Sequence, residues 1–340
     1  MMDVTKTGDI HLQFPYQARF VIVIWLVLSV VVTLAGNIAV LIATLKYNAI
    51  KFERILVILI TNIAAVDIIH VVTITIPTIW SVCSDQDMVK EFFETTIFGK
   101  ITCFYVAHFQ FWLTEASTIM ICALSVTKLF CLRYPLNVSV RSARYGYIIV
   151  VFSWVPYLPR LAAVLAEKSQ LRYGSWRDAF KCLIDGNKLT RDVDLICGLL
   201  SIIFPAFMTS ISTVWLMQFA WRKVGLQKQI IIAYISISII FILTFLPYGA
   251  FIIWDSIGLT PQTKDASDFL WLTAASFREL MSFSNPIIYY FSCAGFKNFV
   301  NSCCVSFYIA IHRCCSFTFC SRQTDQHHVI SCDEEGQAID

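Results

Sequence analysis

Two apolar runs of this chain carry polar side chains three or four residues apart. Gln110, Thr114, Ser117, Ser125 and Lys128 fall on one helical stripe, and Arg278, Ser282, Asn285 and Tyr289 on another. Asn37 in "LAGNIAV" and Asp67 in "NIAAVDII" stand among aliphatic neighbours. Brought together, a carboxylate, two amides and two hydroxyls can satisfy one another or hold a hard cation through oxygen ligands. Taken singly, Asn37 or Ser117 reads as an interhelical hydrogen bond. Asp67 does not, because a carboxylate in hydrocarbon is costly and usually marks function. His70 and His108 read as satisfied packing residues. No nucleophile–base pair or metal-ligand cluster accompanies them, which argues against an enzyme.

The runs that hold these residues are of membrane length. Hydrophobic residues make up 57% of the 340 and charged residues 14%, against about 25% charged in an ordinary soluble domain. Seven spans are expected: Phe20–Leu45, Ile55–Trp80, Cys103–Cys131, Tyr147–Ala166, Leu195–Trp221, Ile230–Ile257 and Phe269–Ser292. Residues 1–19 are polar and lack the apolar core of a cleaved signal, so the first span doubles as the targeting signal. Residues 20–295 form the spanning domain, 296–315 an amphipathic juxtamembrane helix starting near Phe296, and 316–340 a polar tail. No internal repeat is visible, which counts against inverted-repeat transporters. No basic stripe with interleaved aromatics lies outside the spans, which argues against nucleic acid as a partner.

Lys and Arg divide evenly between the two faces, but three short loops are nearly purely basic. They carry Lys46, Lys51 and Arg54; Arg133, Arg141 and Arg144; and Arg222, Lys223 and Lys228, with Glu53 the one acid. Short basic loops face the cytoplasm, which puts the N-terminus outside. Cys103 and Cys182 then lie on the outer, oxidising side, where pairing is allowed. Cys303, Cys304, Cys314 and Cys315 lie just past the last span, on the reducing side, and suit palmitoylation. A zinc site built from that cysteine cluster and His312 is the weaker alternative, because the spacings do not match a zinc module.

In order along the chain, these features resemble the rhodopsin-like G-protein-coupled receptors, from Phe20 to Phe299. Gly36–Asn37 resembles the first-helix signature, and Asp67 matches the second-helix aspartate. Trp154 and Pro205 match the fourth and fifth helices, Phe241 and Pro247 in "FILTFLP" the sixth, and "NPIIY", Asn285 to Tyr289 with Pro286, the seventh. "FKNF" begins the amphipathic helix that follows. The resemblance implies an all-α membrane fold, a seven-transmembrane helix bundle with a short eighth helix. It also implies a Cys103–Cys182 disulfide over the outer end and a sodium-binding centre at Asn37, Asp67, Ser117, Ser282 and Asn285. A heterotrimeric G protein is the implied partner inside.

The departures from the pattern lie at the activation switches. Where the family usually has an acid, an arginine and an aromatic at the inner end of helix three, this chain has Thr127, Lys128 and Leu129. Lysine keeps the charge but not the planar fork. It is expected at the membrane–water boundary, snorkelling to water. The sixth-helix acid is Gln227, and the tryptophan before Pro247 is Phe245. The switch residues are thus Thr127, Lys128, Phe241, Phe245, Pro247, Asn285, Pro286 and Tyr289.

Retinal is argued against, because Glu279 stands where opsins carry their lysine. Gln110 stands where aminergic receptors carry an aspartate. The candidate pocket is Gln110, Phe111, Thr114, Glu115, Tyr248, Arg278 and Glu279. Its aromatic walls and mixed charges suit a small polar or zwitterionic ligand, or a peptide end; alternatively Arg278 and Glu115 only neutralise each other. No cofactor beyond an allosteric sodium ion is expected. The short third inner loop and altered switches look most like chemosensory, odorant-type receptors, placed in the plasma membrane and plausibly in sensory cilia. Two further readings stay open: a small-peptide receptor of the same family, and a non-signalling seven-helix transporter or channel subunit.

Overall fold

The computed structural model describes the backbone of residues 16–45, 54–84, 88, 91–92, 95–134, 142–156, 158–159, 161–162, 171–173, 182–184, 188–221, 226–257, 264–292 and 294–306. All seven expected spans carry helix. The first is Tyr16–Leu45. The second runs Arg54–His70, passes through a π turn at Val71–Thr75 and continues as Ile76–Cys83. The third, Ile97–Arg133, starts where the Thr96 hydroxyl accepts from the Gly99 N–H at 2.8 Å, an N-cap that meets an otherwise orphan donor. The fifth is Lys188–Gly198, a π turn at Leu199–Ile203, then Phe204–Trp221. The sixth, Leu226–Ser256, holds Pro247 and the seventh, Lys264–Ser292, holds Pro286.

The fourth span differs from the expected Tyr147–Ala166. Its helix Ser142–Ser153 is interrupted by a turn at Trp154–Pro156, and helical residues recur at 158–159 and 161–162. Pro156 and Pro159 supply no N–H, which favours a break at this point. The turn is not left unsupported: Trp112 Nε1 donates to the Trp154 carbonyl at 3.1 Å, and the two indoles meet edge to face at 5.3 Å. Five helices among the described residues are long and apolar enough to cross a bilayer, and Ala143–Ser153 of the fourth is a shorter apolar helix.

A second difference is a small antiparallel ribbon, Leu171–Tyr173 against Cys182–Ile184, in the loop after the fourth span. It rests on the third helix. Residues 294–306 form a further helix, whose exposed face includes Cys303 and Cys304.

The third helix is the hub, touching the second, fourth, fifth and sixth, while the seventh packs between the first and the sixth. Leu56, Leu59, Ile60 and Ile63 of the second helix, Leu113, Met120 and Leu124 of the third, and Phe241 and Phe245 of the sixth fill the centre. Gly36 lets the first helix close on the seventh: a Cβ there would collide with the Pro286 ring. Outward faces remain apolar, with Val31, Leu200, Phe207 and Leu243 exposed, as a chain solvated by lipid requires.

Candidate functional site

Polar side chains converge at two levels between the first, second and seventh helices. At the inner level Ser282 Oγ donates to Asp67 Oδ1 at 2.6 Å, and Asn285 Nδ2 donates to Asp67 Oδ2 at 3.2 Å. Asn37 Nδ2 donates to the Ser282 carbonyl at 3.3 Å and to its own Thr33 carbonyl at 3.0 Å. Asp67, Asn37, Ser282, Asn285 and Ser117 are all buried. Four of these five are therefore bonded into one network. Ser117, on the third helix, is buried without a hydrogen-bond partner among the described residues, as are Asn37 Oδ1 and Asn285 Oδ1. Asn37 Oδ1 and Asn285 Oδ1 thus remain unmet in the Asp67 network, and Ser117 Oγ is unmet on the third helix, which packs against the second. Such a set fits a hard monovalent cation, since oxygen acceptors are its preferred ligands.

This arrangement also accounts for Asn285 and Pro286. Proline breaks a turn and frees a carbonyl, which hydrocarbon cannot satisfy. Here the break lies in the bundle interior, against Gly36 and beside the Asp67 network, where protein groups replace the missing bond.

The second level, which the receptor orientation would make the outer one, sits about one to two turns toward the N-terminal end of the seventh helix. Thr75 Oγ1 donates to Glu279 Oε1 at 3.3 Å, and His70 Nδ1 lies 3.3 Å from the same oxygen, close enough for an ion pair when the imidazole is protonated. The π turn at Val71–Thr75 delivers Thr75 to this point, one residue out of step with a regular helix. Arg278 Nη1 lies 3.8 Å from Glu279 Oε1. Arg278 therefore pairs with its neighbour rather than with Glu115, contrary to one of the two expectations from the sequence. His70, read there as packing, belongs to the charged cluster. Thr114, Glu115 and Tyr248 are buried within the same bundle. The side chains of Gln110, Phe111, Cys103, Cys182 and Gln227, and all of Cys314 and Cys315, lie outside the described residues.

The switch residues occupy the inner half. Phe241 and Phe245 pack ring to ring at 5.0 Å on the sixth helix, both buried, and Tyr289 is buried on the seventh. Lys128 corrects the expectation of a snorkelling cation. It is 6% exposed, and its Nζ lies 5.5 Å over the ring of Tyr234 on the sixth helix. One turn further out, Ser125 Oγ and Ser238 Oγ share a hydrogen bond of 2.9 Å across the same two helices. The aromatic face gives the buried ammonium a local counter-field, which is what makes its position inside the bundle tolerable.

Several participants were not singled out from the sequence. Thr75 gave no periodic signal, because its register depends on the π turn. Tyr234 and Ser238 sit four residues apart, a visible signal, but in a span so apolar that they read as lining. Ser29, Thr33 and Asn37 form a buried stripe at the same spacing on the first helix.

A family model described as 7 transmembrane receptor (rhodopsin family) matches residues 36–289. No curated protein matches the chain.

Proposed function

The chain belongs to the rhodopsin family of seven-transmembrane receptors, and from that membership we propose that it binds a small polar ligand from the outer side and signals to a heterotrimeric G protein. Family members are membrane receptors and not enzymes. The observation that carries the ligand reading is the buried Arg278–Glu279 pair, held by His70 and Thr75 inside the bundle. Buried ionisable groups are expensive and rarely kept without a role. The pocket comprises Thr114, Glu115, Tyr248, Arg278 and Glu279, with Gln110 and Phe111 completing it. Binding there shifts the seventh helix and releases the sixth at its inner end, opening the G-protein site.

The plasma membrane, with the N-terminus outside, is the proposed setting, and a chemosensory, odorant-type role is the proposed subtype. Three auxiliary features belong to the same reading: sodium at Asp67, a Cys103–Cys182 disulfide, and palmitoylation at Cys303, Cys304, Cys314 and Cys315. Lys128 supports a second reading, a receptor-like protein that does not couple, since an ammonium cannot donate in a planar fork to a docking backbone.

Nucleotide exchange separates the two. The full chain is reconstituted with a promiscuous G protein and screened against odorant and peptide panels. Ligand-dependent exchange is expected with at least one small polar compound. Binding without exchange on any G protein supports the non-coupling reading, and a response confined to peptides supports a peptide receptor.

A further inference from the structure

We propose that the outer cluster recognises the head group of a free α-amino acid, with Arg278 taking the carboxylate and Glu279 the ammonium. This rests on the receptor reading above and narrows its ligand.

The argument is one of unmet hydrogen-bonding capacity. Around Glu279 every contact falls on one oxygen. Thr75 Oγ1, His70 Nδ1 and Arg278 Nη1 all approach Oε1, whereas Oε2 has no hydrogen-bond partner among the described residues. Arg278 is similarly half used. It is 3% exposed, and its Nε and Nη1 make no hydrogen bond among the described residues. Asp67, by contrast, has both oxygens engaged by Ser282 and Asn285. Two neighbouring side chains thus carry complementary deficits, donors on a guanidinium edge and an acceptor on the carboxylate beside it, and His70 Nδ1 beside them also makes no hydrogen bond among the described residues.

Three kinds of head group can be weighed against those deficits. An amine alone would meet Glu279 Oε2 and leave the guanidinium donors empty. A carboxylate alone would meet Arg278 but bring another negative charge beside Asp67 and Glu279. Buried like charges oppose each other strongly where water is excluded. A group with ammonium and carboxylate one carbon apart meets both deficits and adds no net charge. The Nε–Nη edge of guanidinium suits a planar carboxylate in a bidentate pair. A peptide end offers only one of the two charges, so it is the poorer match.

Helix-two contacts fix the polarity of the site. Because Thr75 donates to Oε1, with His70 Nδ1 3.3 Å from it, the carboxylate cannot rotate to give both oxygens to Arg278 without breaking the Thr75 bond. The unmet atoms have almost no accessible surface. The head group is therefore admitted only by a shift of the seventh helix against the second, which links binding to rearrangement.

The test uses the purified full chain in lipid nanodiscs and reads its melting temperature with each of the twenty standard amino acids at saturating concentration. At least one is expected to stabilise the wild-type chain. Its N-acetyl and carboxamide derivatives, each lacking one charge, are expected to bind roughly tenfold or more weakly, as when one partner of a buried charge pair is removed. In Glu279→Gln the N-acetyl derivative should regain parity with the parent, while the carboxamide stays weak; Arg278→Gln should show the converse. If Arg278→Gln does not fold, the derivative comparison on the wild type and Glu279→Gln decides the matter. Stabilisation by no amino acid, parity of the derivatives on the wild type, or unchanged discrimination in Glu279→Gln would each overturn the assignment. A chain that ignores amino acids yet drives nucleotide exchange with another ligand fails only the head-group assignment. One that binds them without any exchange fails only the coupling reading.

Discussion

Asp67 shows how one side chain can be satisfied and still leave a site incomplete. Its two oxygens accept from Ser282 and Asn285, but Asn37 Oδ1, Asn285 Oδ1 and Ser117 Oγ are buried with no hydrogen-bond partner among the described residues. Each unmet polar group in such surroundings costs about 1–3 kcal/mol. A sodium ion bound there would supply what those oxygens lack, and the Asp67 charge would neutralise it. Replacing potassium by sodium should therefore raise the melting temperature of the wild-type chain. Asp67→Asn, which keeps the shape but removes the charge, should abolish that increment while folding normally. Equal melting in both salts for the wild type would show that the network is a structural bracket alone.

At the scale of helices, the third and sixth are held together by two contacts one turn apart. The Lys128 ammonium lies over Tyr234, and Ser125 is bonded to Ser238. In this clasp the ammonium faces an aromatic ring, and Thr127 and Gln227 stand where the family pattern has acids. A desolvated cation–π contact is worth roughly 0.5–2 kcal/mol. Removing it should shift the closed–open balance of the bundle by about 2- to 30-fold, given about 1.4 kcal/mol for each factor of ten. Tyr234→Leu is expected to raise ligand-free separation of the inner ends of these helices, read by spin labels on the two helices. Tyr234→Phe, which keeps the ring, should remain near wild type. Equal separation in the leucine variant and the wild type would mean that packing around Phe241 and Tyr289 holds the bundle shut without the clasp.

For the molecule as a whole, the ribbon after the fourth span forms a cap seated on the third helix. The ribbon of Leu171–Tyr173 and Cys182–Ile184 rests on the third helix, and Cys182 opens its second strand. A bond from Cys182 to Cys103, near the start of that helix, would pin the cap to the hub of the bundle. Closing a loop of that length stabilises by about 2–4 kcal/mol. Peptide mapping without reduction should recover the Cys103–Cys182 linkage, and Cys103→Ser should lower the melting temperature. Free thiols at both positions in folded surface protein would remove the pin and reopen the question of which face is outside.

The bundle itself was legible in the sequence, because lipid leaves helices almost no alternative: long apolar runs must satisfy their backbones internally. Asp67, Asn285 and the polar stripe of the seventh helix were legible for a related reason, since each breaks an apolar pattern that lipid enforces. The break in the fourth helix was not, although Pro156 and Pro159 were in plain view; hydropathy runs through them, whereas a proline lacks the N–H that a regular helix uses. Only the tertiary structure placed Thr75 and His70 beside Glu279: a π turn sets the register of Thr75 relative to His70, and such a turn leaves no periodic trace in the sequence. It also moved Lys128 from the boundary to the interior. A lone lysine can snorkel or be buried with similar local propensity, and the choice fell to Tyr234, which is distant in sequence and adjacent only once the helices pack.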